Sequence, residues 1–185
     1  MATRYPTLLR TGARLHGRHA ELQALFEQAR TLCPEGFPFD ETRSLDPVRA
    51  GLTLGFVEGL RAELREALGL PTEAFSLERF TVQGAGPVSL HDDARNYPDV
   101  YFVIVVAHSG RLGIVDGKSR AVRHAAGEIL LLDPRKKHAL VPEGLTAAEW
   151  PCARTAGFAR DPEDQFLFLD FEVPRRLLRE RFRAG

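Results

Sequence analysis

A chain of 185 residues can bury one core without staples, and 44% apolar with 27% charged residues excludes a disordered or fibrous protein. Formal charge is zero and the isoelectric point about 7.0, so no global field favours nucleic acid or an anionic membrane surface. No window approaches the roughly 18 apolar residues of a membrane span. MATRYPTLLR lacks the apolar core of a signal peptide, and Cys33 and Cys152 form no CxxC, so a reducing, cytoplasmic location and a single domain over 1–185 are expected.

The first seventy residues read as mainly helical. In HAELQALFEQAR, Leu22, Leu25 and Phe26 fall on one face with charged residues between them. CPEGFPFDETRSLDP, rich in Pro, Gly and Phe, reads as a loop. Asp46 before Pro47 has the chemistry of an N-cap and first helical position, so a second helix is expected from there. Val48, Leu52, Phe56, Leu60, Leu64 and Leu68 then recur about every four residues, and Gly69, Leu70 and Pro71 supply the stop. Gly51, Gly55 and Gly59 weaken that helix and admit close packing.

Beyond Pro71 the texture changes. FSLERFTVQ, VSL, DVYFVIVVA, RLGIVDG, AVRH, GEILLLD, HALVP and QFLFLDFEV are short β-rich segments parted by Gly, Pro, Asp and Ser. DVYFVIVV and GEILLLD are continuous apolar runs, as strands covered on both faces require. Helices followed by many short strands predict an α+β fold. Its β-sandwich or barrel core spans 75–174, and the helices of 1–70 pack outside one sheet. The basic tail 175–185 reads as a solvated helix or chain end rather than a binding arm. The sequence carries no signal for oligomeric state.

Gly117-Lys118-Ser119 imitates the end of a phosphate-binding loop. That loop needs glycine five positions before Gly117, where Leu112 stands, so a turn is the better reading. Of six histidines, His16, His19, His108 and His124 read as ordinary loop or surface residues. His91 and His138 differ. His91 closes VSL and is followed at i+2 by Asp93; in extended chain these two share a side while Asp92 points away. His138 opens HALVP. Two imidazoles and a carboxylate on adjacent strands can occupy one face of an octahedral ion, the triad suited to non-haem Fe(II). Zinc also accepts such a set with water. Metal-bound imidazoles need an acceptor at their other nitrogen; Asp92 and Asp133 are near in sequence only.

In order, LERFTVQGAGPVSLHDDA, YFVIVVAHSGRLGIVDG and AVRHAAGEILLLDPRKKHALVPEG resemble the Fe(II)- and 2-oxoglutarate-dependent oxygenases, most of all their prolyl-hydroxylase-like branch. The similarity covers about residues 77 to 144, with QFLFLDFEV as a closing strand. It implies a double-stranded β-helix (jelly-roll or cupin-like) core, with iron held by His91, Asp93 and His138, and 2-oxoglutarate and O2 as co-substrates. It also implies oxidation of a C–H bond in a small-molecule, amino-acid or peptide substrate, while the neutral charge and the lack of an apolar span lead us to expect no nucleic acid or membrane partner. In the family an Arg or Lys about ten residues beyond the distal histidine holds the far carboxylate of 2-oxoglutarate. Here the position nine beyond His138 is Ala147 and the next bases are Arg154 and Arg160, which take that role by resemblance, with Arg123 and Lys118 as alternatives. GEILLLDPRKKH also resembles the second motif of a cupin, so a ligand-binding or sensor protein without oxygenase activity is the rival; a zinc hydrolase is the third reading.

Overall fold

The computed structural model describes residues 7–37, 39–47, 49–150 and 164–178; Val48, Cys152, Arg154, Arg160 and the tail beyond Leu178 lie outside them. In chain order the elements are β1 (Leu8–Arg14), α1 (His19–Leu32), β2 (Thr42–Leu45), α2 (Leu54–Leu68), β3 (Phe80–Ala85) and β4 (Val88–His91). They continue with β5 (Val100–His108), β6 (Leu112–Asp116), β7 (Glu128–Leu132), β8 (His138–Pro142), β9 (Phe166–Pro174) and α3 (Arg175–Leu178). The strands form a larger antiparallel sheet in the order β1-β7-β5-β9-β3-β2 and a smaller one in the order β4-β8-β6. From β3 onward every odd strand joins the larger sheet and every even strand the smaller. This alternating passage between two facing sheets is the double-stranded β-helix.

Period-two geometry explains why the central strands show no polar alternation. Tyr101, Val103 and Val105 of β5, Ile129 and Leu131 of β7, and Leu167, Leu169 and Phe171 of β9 pack in one core with the helices. Their neighbours Phe102, Ile104, Leu130, Leu132 and Phe166 pack in a second core, between the sheets. Both faces are covered, so both sets are apolar. On the helix side, α1 buries Leu22, Leu25, Phe26 and Ala29, and α2 buries Phe56, Val57, Leu60, Leu64 and Leu68. No helix among the described residues is long and apolar enough to cross a membrane.

Several sequence expectations change. The segment read as mainly helical also supplies both edge strands of the larger sheet: β1 pairs with β7, and β2, inside the stretch read as a loop, pairs with β3. The second helix starts at Leu54, not at Asp46-Pro47. Asp46 Oδ1 accepts from Arg49 N–H, Ala50 and Leu52 N–H close back onto the Asp46 and Pro47 carbonyls, and Gly51 at φ +77° ends that single turn. Thr53 then caps α2, its hydroxyl accepting from Phe56 N–H at 3.1 Å. The stop at Gly69 holds, left-handed as expected.

AVRH, read as a strand, is irregular. It crosses β6 at Gly113, and His124 Nε2 stands in for a ladder carbonyl by accepting Ile114 N–H at 3.2 Å. A Cβ on Gly113 would lie 2.5 Å from the Val122 carbonyl oxygen, which belongs to backbone and has little room to move. Gly113→Ala should therefore cost about 1–3 kcal/mol, seen as a lower urea midpoint at unchanged m value.

The remaining histidines also find their places. His16 and His19 are exposed, whereas His108 stacks on Phe26 at a centroid distance of 3.7 Å. His124, expected at the surface, is 7% exposed, and burial lowers its pKa against the pull of Glu128.

Candidate metal centre

His91 and His138 face each other across the β4–β8 register, with ring centroids 4.4 Å apart. Asp93 lies just past the end of β4, where the chain turns away. Its N–H donates to the Pro134 carbonyl at 2.7 Å, and its own carbonyl accepts from Asn96 and Tyr97 N–H, both at 3.0 Å. These bonds fix the backbone so that Asp93 Oδ2 sits 3.8 Å from His91 Nε2 and 3.5 Å from His138 Nε2. The three ligand atoms all lie within 4.8 Å of one another. Asp92 is exposed, its Oδ1 accepting from Ala94 N–H at 3.4 Å, and it stands outside the cluster.

The tautomers follow from two further bonds. His91 Nδ1 lies 2.7 Å from the Ser89 carbonyl oxygen, and His138 Nδ1 lies 2.8 Å from that of Lys136. A carbonyl only accepts, so each Nδ1 carries a hydrogen and Nε2 is the nitrogen that each ring turns toward Asp93. Each Nε2 thus faces a carboxylate oxygen, an arrangement that calls for a proton or a metal cation between them. Hydrogen bonding with His138, opposed by burial and reinforced by charge on either ring, holds the Asp93 carboxyl below its ordinary value, so it stays anionic. Two nitrogens and one anionic oxygen suit Fe(II) or Zn(II). The residues fit a divalent metal.

The acceptors behind the imidazoles are backbone carbonyls at i−2, and neither Asp92 nor Asp133 plays that part. Asp133 is instead one half of a buried clamp. Arg175 Nη2 and Nη1 donate to its two oxygens at 2.6 and 3.2 Å, Nη2 also donates to the Val100 carbonyl, and the guanidinium lies 4.0 Å from the Tyr101 ring centroid. The first residue of the tail read as solvated is thus 3% exposed. The clamp anchors the turn DPRKK, whose Pro134 carbonyl positions Asp93 and whose Lys136 carbonyl orients His138. One loop therefore aligns two of the three candidate ligands.

The triad opens into a cavity of about 270 Å³ between the sheets, walled by residues such as Phe102, Ile104, Leu140 and Phe168 and carrying Gln83, Tyr97 and Asp170 as inner polar groups. Its described lining contains no Arg or Lys. Lys118 lies in a turn closed by Asp116, and Arg123 pairs with Glu143 at 2.7 Å; neither lines the cavity. Arg154 and Arg160 lie outside the described residues. Sequence reasoning passed over Asp170 and Tyr97. Asp170 left a visible signal, as the one acid inside the apolar run FLFLDF.

No protein-family model matches the chain, and no curated protein matches it. Among solved structures, it is similar to SnoN, a non-haem α-ketoglutarate-dependent epimerase from nogalamycin biosynthesis, with a TM-score of 0.49 and 14% identity over 90% of this chain and 77% of that one. It is similar also to an oxidoreductase of the 2OG-Fe(II) oxygenase family from Burkholderia pseudomallei, with a TM-score of 0.45 and 13% identity over 88% and 81% of the two chains. A third is a prolyl-4-hydroxylase from Pseudomonas putida, with a TM-score of 0.45 and 16% identity over 85% and 88%.

Proposed function

We propose that this chain is a cytoplasmic, 2-oxoglutarate-dependent non-haem iron oxygenase that oxidises a C–H bond of a small-molecule, amino-acid or peptide substrate. The observation that carries this reading is the pair of imidazoles, each with Nδ1 committed to a backbone carbonyl and Nε2 turned to Asp93, lining a cavity between the two sheets. His91, Asp93 and His138 would hold the iron. With O2 and 2-oxoglutarate, such a metal supplies a one-electron redox chemistry that no side chain here possesses. The chain's own part is to present three ligands on one side, leave the other positions to exchangeable ligands, and keep the reacting bond among Phe102, Ile104 and Phe168, away from bulk water. Arg154 or Arg160, in 151–163, is assigned to the far carboxylate of 2-oxoglutarate.

The test is anaerobic titration with Fe(II) and then 2-oxoglutarate, followed by admission of oxygen and measurement of succinate. Failure of both titrations sinks the proposal. Asp92→Ala should leave metal affinity within about twofold, since an exposed substitution away from partners has little effect. A loss equal to that of Asp93→Ala, measured by the same titration, would show that the wrong carboxylate has been chosen. A second reading, a cupin-like binding protein, is favoured by one observation: the described lining holds no base for a dicarboxylate. Metal binding without any effect of 2-oxoglutarate would select it.

A further inference from the structure

We propose that Asp170 is the recognition residue for a cationic group, a protonated amine or guanidinium, on the substrate that enters the cavity of the triad. The proposal rests on the reading of that cavity as the reaction chamber, and it names the class of molecule the chamber takes. Asp170 sits in mid-sheet, between Thr81 of β3 and Ile104 of β5, on the β9 face that looks toward the smaller sheet. The described residues flanking it along that face are Phe166, Phe168 and Glu172. Asp170 is 4% exposed, yet it lines the cavity.

Its two oxygens are treated differently. Oδ2 accepts from Gln83 Nε2 at 3.3 Å, and Gln83 is itself held by Thr81 Oγ1 at 2.9 Å. Oδ1 has no hydrogen-bond partner among the described residues. A buried carboxyl oxygen without a partner costs stability, so the packing of the fold gives no reason for an acid here. A ligand donor does.

The surroundings choose the sign of that donor. Burial, then the charge of Glu172, drives the Asp170 pKa well above the ordinary carboxylate range. Glu172 thus places a second carboxyl group beside Asp170, and the described lining of the cavity holds no Arg or Lys. A cation entering here meets an acceptor without a partner, and the cation's own charge stabilises the ionised form of Asp170 as the pair forms. An anionic group at the same point meets repulsion, and a neutral one gains a single hydrogen bond.

The probes are n-butylammonium, n-butylguanidinium, n-butanol and n-butyrate, titrated into the full chain with EDTA present and followed by amide chemical shifts. The two cations should bind at least tenfold tighter than butanol, and butyrate weakest of all. Asp170→Asn should reduce the cations to the butanol level, while Glu172→Gln should change them by less than threefold. Butanol or butyrate binding as tightly as the cations overturns the proposal, as does an unchanged preference in Asp170→Asn. If that variant fails to fold, the preference of the wild-type chain still decides. The measurement needs neither metal nor turnover, so a failed succinate assay and a failed cation preference are separate results.

Discussion

Arg175→Leu should lower the unfolding free energy by up to about 3–5 kcal/mol, because it removes the bidentate partner of Asp133, 1% exposed, and leaves that buried carboxylate to the Arg135 N–H and a longer 3.5 Å contact with the Arg135 side chain. Urea denaturation at neutral pH measures the loss. The double variant Asp133→Leu with Arg175→Leu should recover part of it, since removing both charges also removes their desolvation cost. The acid limb supplies a second check. Burial works to raise the Asp133 pKa, but the Arg175 hydrogen bond and charge, together with the Arg135 N–H, outweigh it and leave the pKa lowered. A carboxyl whose pKa is depressed on folding contributes stability above its ordinary value and loses it as pH falls through the depressed one. The gap between wild type and Arg175→Leu should therefore be widest at neutral pH and close in acid. A gap that widens in acid would refute the assigned pairing. Because Pro134 and Lys136 aim Asp93 and His138, the variant should also bind metal about 10–100-fold more weakly, as loss of support behind ligands commonly does.

The other large effect is at the ligands. His138→Ala removes the most buried member of the triad and leaves His91 and Asp93 as a two-donor site at the cavity mouth. Metal affinity should fall by more than about 100-fold, beyond what losing a supporting bond costs. Asp93→Ala should match it. Anaerobic Fe(II) titration reads both, and Mn(II) serves as an oxygen-stable substitute. Retention of near-normal affinity in either variant would mean that the three side chains do not share an ion.

Much of this was readable from residue order, for a definite reason. Strands β5, β7 and β9 announce themselves because both faces are covered, which leaves long apolar runs with little else to mean. The triad is legible because two of its members lie two residues apart and the third opens a strand. What escaped reading depends on distant partners. β1 is LLRTGAR, a mixed sequence that becomes a strand only because β7 lies beside it; Arg10 meets Glu128 across 118 positions of chain. β2, TRSL, is mostly exposed and has the same dependence on β3. Asp46-Pro47 has the chemistry of a helix start, but Gly51 closes the turn before it can propagate. The acceptors for the imidazoles are backbone carbonyls, which every residue has and none advertises. Arg175 looked like one base in a basic run, and only its opposition to Asp133 across 42 positions makes it a clamp.

The order in which the larger sheet closes bears on when the proposed metal centre could form. Its flanks are joined late: β1 waits for β7, and β3 waits for β9, whose Asp170 meets Gln83 across 87 positions. Pairings of such separation make for slow folding, since loop entropy is lost before contacts compensate it. On the ribosome, His91, Asp93 and His138 emerge well before Arg175, the residue that tethers the DPRKK turn. A nascent chain thus carries all three candidate donors before it can hold them in register, so ion capture is expected to follow synthesis. Metal supplied during translation should confer no advantage over metal supplied to the finished chain.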